Sequence, residues 1–590
     1  MRRHVTFGVI ASACGLLAVL ALASYVFTGR NGFDDEGYIL ISLRGWTSGH
    51  ALYSDVYTQY GPAFFVLIGG PLRLLGNSSI SIEAARLATL ILGLATAGIL
   101  GFVTARISGS RYAGLFAGVI VASCSAAGLE SALHPTHVVQ LLIACTVAAV
   151  VVLEERPGAR SPAIAAGVGI ALCLLVKVNA GGVMLAAVAV GAGLTARTRH
   201  AAARLVAPVL LIAAVAAVAS RSGYSSMFLV LLTAAGLVVL VGVRGTGPGG
   251  ALEPKVVGTA TLFTGIVVVA IALLTGSSLS VLVRGTIIDA TRLANAFTVP
   301  MAGGRYTAVP LLLIAIAAWF VNRNETSAIS GGVLIVMGFS VAAAAYAQRF
   351  SIGTIYGVNT LVLGAATSWT VVSRGERRFG SSRLVVTALA LLLPLVVYPV
   401  AGGQRTAAAL LFPVVGAIAV VRGGRLLADA GVMQFERVVP VLFSAAALAV
   451  GGVVFIRSAK TRADSVAIPF TGNLARTSPE DARDIVGVVA ALDQCHTFYS
   501  LPGLASFYLF ADKQPPTWQN AGAWTNLFDA DRQRRVVGDL ERVRGLCVIR
   551  NRTEEAFWLS SGKEQAGPLR PFLESKTVPV ATVGDYEIYR

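Results

Sequence analysis

Three consecutive acids, Asp34, Asp35 and Glu36, follow closely on the first long apolar run of the chain. Carboxylates at a boundary between lipid and water can act as a general base toward a hydroxyl group. They can also hold a divalent cation. A solvated acidic cap on a loop would use the same residues without any chemistry. His134 and His137 stand three apart, a spacing that places two rings on one helix face, but no third ligand is near. Lys177 lies at the end of another apolar run, with Asn179 just beyond. Ionisable groups in such runs are costly and are functional candidates by default, with snorkelling to headgroups as the alternative. Arg284, Arg292 and Arg305 share the polar stretch 276–308 with Asp289 and Asn295, and Arg349 follows. Guanidinium groups there could clamp a phosphate, or each could simply face solvent. The Gly-rich stretch 244–250 lacks the Lys-Ser/Thr of a phosphate-binding loop, so nothing points to ATP-driven work.

The elements that hold these residues are dictated by composition. Of 590 residues, 55% are hydrophobic and 13% charged, and mean hydropathy is +0.73. Soluble chains carry about 25% charged residues. A soluble enzyme, a disordered chain and a disulfide-stapled secreted module are therefore excluded. About fifteen apolar runs near the length of a bilayer span recur between residues 5 and 456. The first, 5–27, is too long and lacks the small-residue site of a cleavable signal. The expectation is a polytopic α-helical membrane domain over 1–456, with 13–15 spans, and an α/β domain over 457–590. In the latter, a helix over 479–492 capped by Ser478, a helix over 531–544 and strands near 495–500, 546–550, 578–583 and 586–589 are predicted.

Charge sets the orientation. The net charge is +17, and almost all of the excess precedes residue 457. No basic stripe interleaves with aromatics, so nucleic acid is not expected as a partner. If the short apolar segment 62–76 only dips into the interface, Arg106, Arg111, Arg156, Arg160, Arg383 and Arg425 fall on one side with the N-terminus. The positive-inside rule then predicts a cytoplasmic N-terminus, an odd number of spans and an extracytoplasmic C-terminal domain. Residues 37–50 could form a helix lying on the membrane, anchored by Tyr38 and Trp46. Cys14, Cys124, Cys145 and Cys173 read as small core residues; Cys495 and Cys547 are either a disulfide or two buried thiols.

One further pattern concerns order. Phe33-Asp-Asp-Glu-Gly-Tyr38 is followed by Gly49-His-Ala-Leu-Tyr-Ser-Asp-Val56, by Gln59-Tyr-Gly-Pro-Ala-Phe-Phe65, and by Glu83-Ala-Ala-Arg-Leu87. This order resembles the first outer loop of the GT-C superfamily of membrane glycosyltransferases, nearest to protein O-mannosyltransferases and lipid A aminoarabinose transferases. The likeness covers residues 1–190; farther on it rests on architecture. It implies transfer of a sugar from a polyprenyl-phosphate donor to a glycan, lipid or protein acceptor at a bacterial plasma membrane. It makes Asp35 the general base, with Asp34 as competitor in register. Glu36 and Asp34 would tune the base or, with Asp35, hold a divalent cation. Tyr60, Lys177 and the arginines would contact substrate. Where the family carries Asp-Pro, this chain has His134-Pro135, a departure that leaves His134 to orient an acceptor or take up a proton. Arg86 could pair with the acidic cluster or with Glu83. A transporter or lipid flippase is the rival reading, but it predicts a pair of interrupted repeats, and none stands out.

Overall fold

The computed structural model describes residues 2–29, 33–76, 80–127, 132–195, 254–289, 327–347, 380–397 and 404–590, with isolated positions between 316 and 324. The expected spans 205–220, 227–243 and 355–372, most of 309–321, and the candidates Arg292, Arg305 and Arg349 lie outside the described residues.

Seven described helices are long and apolar enough to cross a membrane. Their large apolar side chains point outward as well as inward. Val9, Leu16, Leu262, Phe263, Val336, Val441 and Ile456 are all exposed. A surface of that kind suits lipid rather than water. By contrast, Thr406–Asp429 is almost wholly buried among the described residues.

Among the helices that position the site, α1 is Arg2–Val26, α2 is Asp35–Thr47, α3 is Pro62–Leu74 and α4 is Ile82–Ser108. Then come α5 (Pro135–Glu155), α6 (Arg160–Val176), α7 (Val178–Thr195) and the last long helix, α8 (Phe435–Ala463). Ser81 starts α4 by accepting the amide of Ala84 at 3.2 Å. Pro135 occupies the first turn of α5, where its missing N–H costs nothing. Lys177 separates α6 from α7 in an extended conformation, φ −152° and ψ 103°. With its π-turn at Phe65–Gly69, α3 reaches only about 20 Å, short of a bilayer core of about 30 Å.

The ends of α1 and α8 meet: Arg462 Nη1 donates to Phe27 O at 3.3 Å. The two helices therefore run in the same direction. At the other end of α4, Arg383 reaches Ile107 O, Arg425 reaches Ser108 O and Arg106 pairs with Glu155. The acidic triplet and the C-terminal domain are at one end of the bundle, and these basic side chains are at the opposite one.

α8 continues as one helix to Ala463, beyond the point where the apolar run stops. A two-stranded ribbon, β1 (Val466–Ala467) and β2 (Arg476–Thr477), follows. Its Arg476 backbone exchanges hydrogen bonds with Phe27 and Gly29 at 2.8 Å each, tying the domain to the end of α1. The main sheet holds β3 (Thr497–Leu501), β4 (Leu546–Asn551), β5 (Pro579–Val583) and β6 (Tyr586–Tyr589) in the order β3-β4-β6-β5. Only β3 and β4 are parallel. Helices α9 (Pro479–Leu492, capped by Ser478) and α10 (Ala530–Glu541, capped by Asp529) match the expected ones. Short helices at Ser506–Phe510, Trp524–Leu527, Arg552–Ser561 and Leu569–Glu574 were not expected. Cys495 and Cys547 form a disulfide that joins the start of β3 to β4.

Two expectations are corrected. Tyr38 and Trp46 are not interface anchors, since both are at most 3% exposed. Phe65 and Arg73 of α3 cover Trp46, while Tyr57 and Tyr60 cover Tyr38. Cys145 is exposed on its helix, unlike the buried Cys14, Cys124 and Cys173.

The disulfide closes a loop of sequence separation 52. Loop-closure entropy gives about 4 kcal/mol for that length. Replacing Cys495 and Cys547 by Ser in the full chain should lower the protease concentration that cleaves the C-terminal domain, read by limited proteolysis. Unchanged resistance would show that the disulfide does not stabilise the domain.

Candidate active site

The three acids have three different environments. Asp34 precedes α2 in the left-handed region, φ 53° and ψ 33°, and makes no side-chain cap to its own helix. Its carboxylate instead accepts the backbone N–H of Ser506 at 2.7 Å and the Ser506 hydroxyl. Gly37 makes this contact possible, because a Cβ there would lie 2.1 Å from the Ser506 nitrogen. Glu36 is gripped by Arg86, whose Nε and Nη2 donate to the two carboxylate oxygens at 3.0 and 2.9 Å. Arg86 Nη2 also donates to Gly29 O at 3.0 Å, so one guanidinium ties α4 to α2 and to the end of α1. Both charges are buried, and the bidentate geometry is what makes burial tolerable.

Asp35, between these two clamped neighbours, is the first residue of α2 and is only half-buried. Its charge acts on Lys177, Tyr38 and Tyr60. A helix start and a nearby ammonium both favour a negative charge at that position.

Tyr60 reaches this point because the chain before α3 presses on the end of α6. Gly61 N–H donates to Val176 O at 3.0 Å. A Cβ on Gly61 would lie 1.9 Å from Leu175 O, so only glycine allows the approach. Lys177 follows directly, and its Nζ is buried without a hydrogen-bond partner among the described residues. Tyr60 Oη is 2.8 Å from His134 Nε2, and the amide of Thr136 donates to His134 Nδ1 at 3.1 Å. Burial, with Lys177 and His137 beside it, holds His134 well below its usual range. Burial first, then the charge of Asp35, pushes the Tyr60 phenol well above its usual value. Near pH 7 the ring is thus neutral and the phenol keeps its proton. Asp35, Tyr60, His134 and Lys177 each keep part of their surface open, whereas Asp34, Glu36, Tyr38 and Tyr57 around them are buried.

Among the expected contacts, Arg284 is described, and its guanidinium is met by acids. It pairs with Asp529 of the C-terminal domain at 2.7 Å and approaches Asp289 at 3.7 Å. The three acids do not make a joint cation site, since Ser506 and Arg86 take the oxygens of Asp34 and Glu36. Among the described residues no three His, Cys, Asp or Glu side chains group to hold a metal ion.

Sequence reasoning assigned no role near the site to the C-terminal domain, and the structure supplies three. Ser506 holds Asp34. Gln519 donates to Ser54 O and Asp55 O, both at 2.7 Å. Arg532 donates to Gln519 Oε1 at 2.6 Å and lies 4.7 Å from the Tyr57 ring centre. Nothing local marks these residues; only their approach in space does. The nearby aromatics Phe507, Tyr508 and Trp524 are core, each at most 1% exposed.

Neither a family model nor a curated protein sequence matches the chain. Among solved structures, it is similar to ArnT from Cupriavidus metallidurans bound to undecaprenyl phosphate: 14% identity, TM-score 0.47, 99% of this chain and 98% of that one. It is also similar to the Archaeoglobus fulgidus oligosaccharyltransferase with zinc and sulfate, at 12% identity and TM-score 0.44 over 98% of this chain and 72% of that one. The oligosaccharyltransferase AglB of that organism, with an inhibitory peptide and a dolichol-phosphate, gives 14% and 0.42 over 96% and 72%. The described fold is that of a multi-pass helical membrane protein whose C-terminal α/β domain packs onto the segment between α1 and α3, which carries Asp35 and Tyr60, while His134 and Lys177 come from the start of α5 and the junction of α6 with α7.

Glu36→Gln leaves the Arg86 charge buried and unbalanced, at a cost of about 3–5 kcal/mol. A thermal-unfolding scan in detergent should show a large loss of stability, with part of it recovered in the Glu36→Gln/Arg86→Met double variant. Equal stability of the single variant and the parent would refute the clamp.

Proposed function

We propose that the protein is a GT-C-type membrane glycosyltransferase that moves a sugar from a polyprenyl-phosphate donor to a hydroxyl of a cell-envelope glycan, lipid or protein. The observation that carries the reading is the neighbourhood of Asp35 and Lys177: a half-buried carboxylate and a buried ammonium with no hydrogen-bond partner among the described residues. An inverting transfer needs one group of each kind. The acceptor hydroxyl gives its proton to Asp35, and its oxygen bonds to the anomeric carbon opposite the phosphate. The bond from that carbon to the phosphate oxygen breaks, and the electron pair leaves with the phosphate. Lys177 stabilises the charge that builds there. Phosphate leaves readily, so no strong acid is required. The order of motifs from Asp34 to Arg86 supports the same reading.

The proposal places the N-terminus in the cytoplasm and the C-terminal domain outside a bacterial plasma membrane. Its supports are the basic side chains gathered at the end of the bundle away from the acids, and a disulfide of the kind found in oxidising compartments. The donor's hydrophobic tail then stays in the bilayer, while the polar acceptor arrives from water beneath the C-terminal domain.

The test is transfer from a panel of radiolabelled polyprenyl-phosphate sugars in membranes. Asp35→Asn should lower the rate by about 10²–10⁴-fold at unchanged protein level. Asp34→Asn, which weakens the grip on Ser506, should act mainly by lowering thermal stability. Full activity of Asp35→Asn would remove the base, and transfer from none of the donors would remove the function.

A further inference from the structure

The hydrogen bonds around His134 determine which way the Tyr60 hydroxyl points its proton. A neutral imidazole has one N–H and one bare nitrogen. The Thr136 backbone N–H can only donate, so the bare nitrogen is Nδ1. The ring proton is therefore on Nε2 and is donated to Tyr60 Oη over 2.8 Å. The tyrosine oxygen is thereby used as an acceptor, and its own O–H remains to be given to something else.

Neighbours hold Tyr60 in that pose. Its backbone N–H donates to Thr58 Oγ1 at 3.1 Å, and its carbonyl accepts from Tyr53 Oη at 2.7 Å. Its ring stands edge-on to the imidazole, 5.4 Å between centres at 82°. Among the described residues no second partner takes the Tyr60 hydroxyl proton. The free O–H and the Lys177 ammonium, which has no hydrogen-bond partner among the described residues, both feel the charge of Asp35. Two donors without an acceptor among the described residues, both neighbours of His134, fit an oxygen that carries negative charge.

We propose that His134, through its fixed tautomer, makes Tyr60 an obligatory hydrogen-bond donor to a phosphate oxygen of the bound polyprenyl-phosphate donor, beside Lys177. The inference rests on the function proposed above and adds to it a positioning residue, His134, and the polarity that it imposes. A carboxylate in its place would accept the Tyr60 proton and leave the phenol oxygen able only to accept. The phosphate would then meet a lone pair where it needs a proton.

Three substitutions separate this polarity from simple support of the fold. In His134→Gln the side-chain amide can present an N–H where Nε2 was, but the cap on Thr136 is lost. His134→Asn keeps a cap and falls short of Tyr60. His134→Glu offers Tyr60 only an acceptor. His134→Gln should lower kcat/KM least, with Asn, Glu and Tyr60→Phe at least about tenfold lower than Gln, mainly through KM for the lipid-linked donor. Thermal stability should order the other way, with Asn above Gln. A Glu variant as active as the Gln variant, or Tyr60→Phe equal to the parent, overturns the proposal while leaving the function standing. If the parent transfers no sugar at all, the function fails, and the tautomer is judged by nitrogen NMR of ¹⁵N-histidine-labelled protein. The His134 signal, assigned by its loss in His134→Gln, should then show the proton on Nε2; a proton on Nδ1 overturns the inference.

Discussion

A buried carboxylate is costly unless its charge is met by donors, and this chain buries two, Asp34 and Glu36, on either side of a third. Asp34 is met by the backbone and hydroxyl of Ser506, from the far end of the sequence. Glu36 is met by the two-pronged guanidinium of Arg86. Asp35 has a clamped neighbour on each side, so its backbone is held from both directions while its side chain stays half-buried. Much of the site geometry depends on this pair of clamps. Loosening either would move the start of α2, and with it the acid proposed to act as base.

The same constraint links the two parts of the molecule. Arg86 joins α4 to the end of α1, whose last residues pair with the ribbon that opens the C-terminal domain. Gln519 and Arg532 hold the loop before α3 from above, and Arg284 meets Asp529 near them. The domain is thus part of the wall around the acidic segment.

Much of the candidate site was legible because membrane sequences make charge conspicuous. Asp34, Asp35, Glu36 and Lys177 stand out against long apolar runs, and Tyr60 belongs to a recognisable order of short motifs. The assignment of partners was not legible. Arg86 had two plausible acids in reach, and the choice of Glu36 over Glu83 depends on how α4 is rotated against α2. Glu83 instead accepts the backbone amide of Gly472. Tyr38 and Trp46 looked like interface anchors because an amphipathic helix at a membrane surface and one covered by protein carry the same residues. The difference lies in what packs over them, which is distant in sequence.

What the chain alone determined is the class of solvent and the order of elements. Apolar length specifies helices that need lipid, and the loss of that pattern after residue 456 specifies a separate α/β domain. Local rules also set the caps: Ser478, Asp529 and Pro135 act where they stand. Only the tertiary structure decided which acid stays open, which arginine neutralises which carboxylate, and which side chain receives the N–H that the local Thr136 contact leaves on His134 Nε2. Those outcomes depend on distances between residues far apart in the chain, such as Asp34 and Ser506 or Tyr60 and His134. Hydropathy and propensity act along the chain and carry no information about such distances; packing sets them.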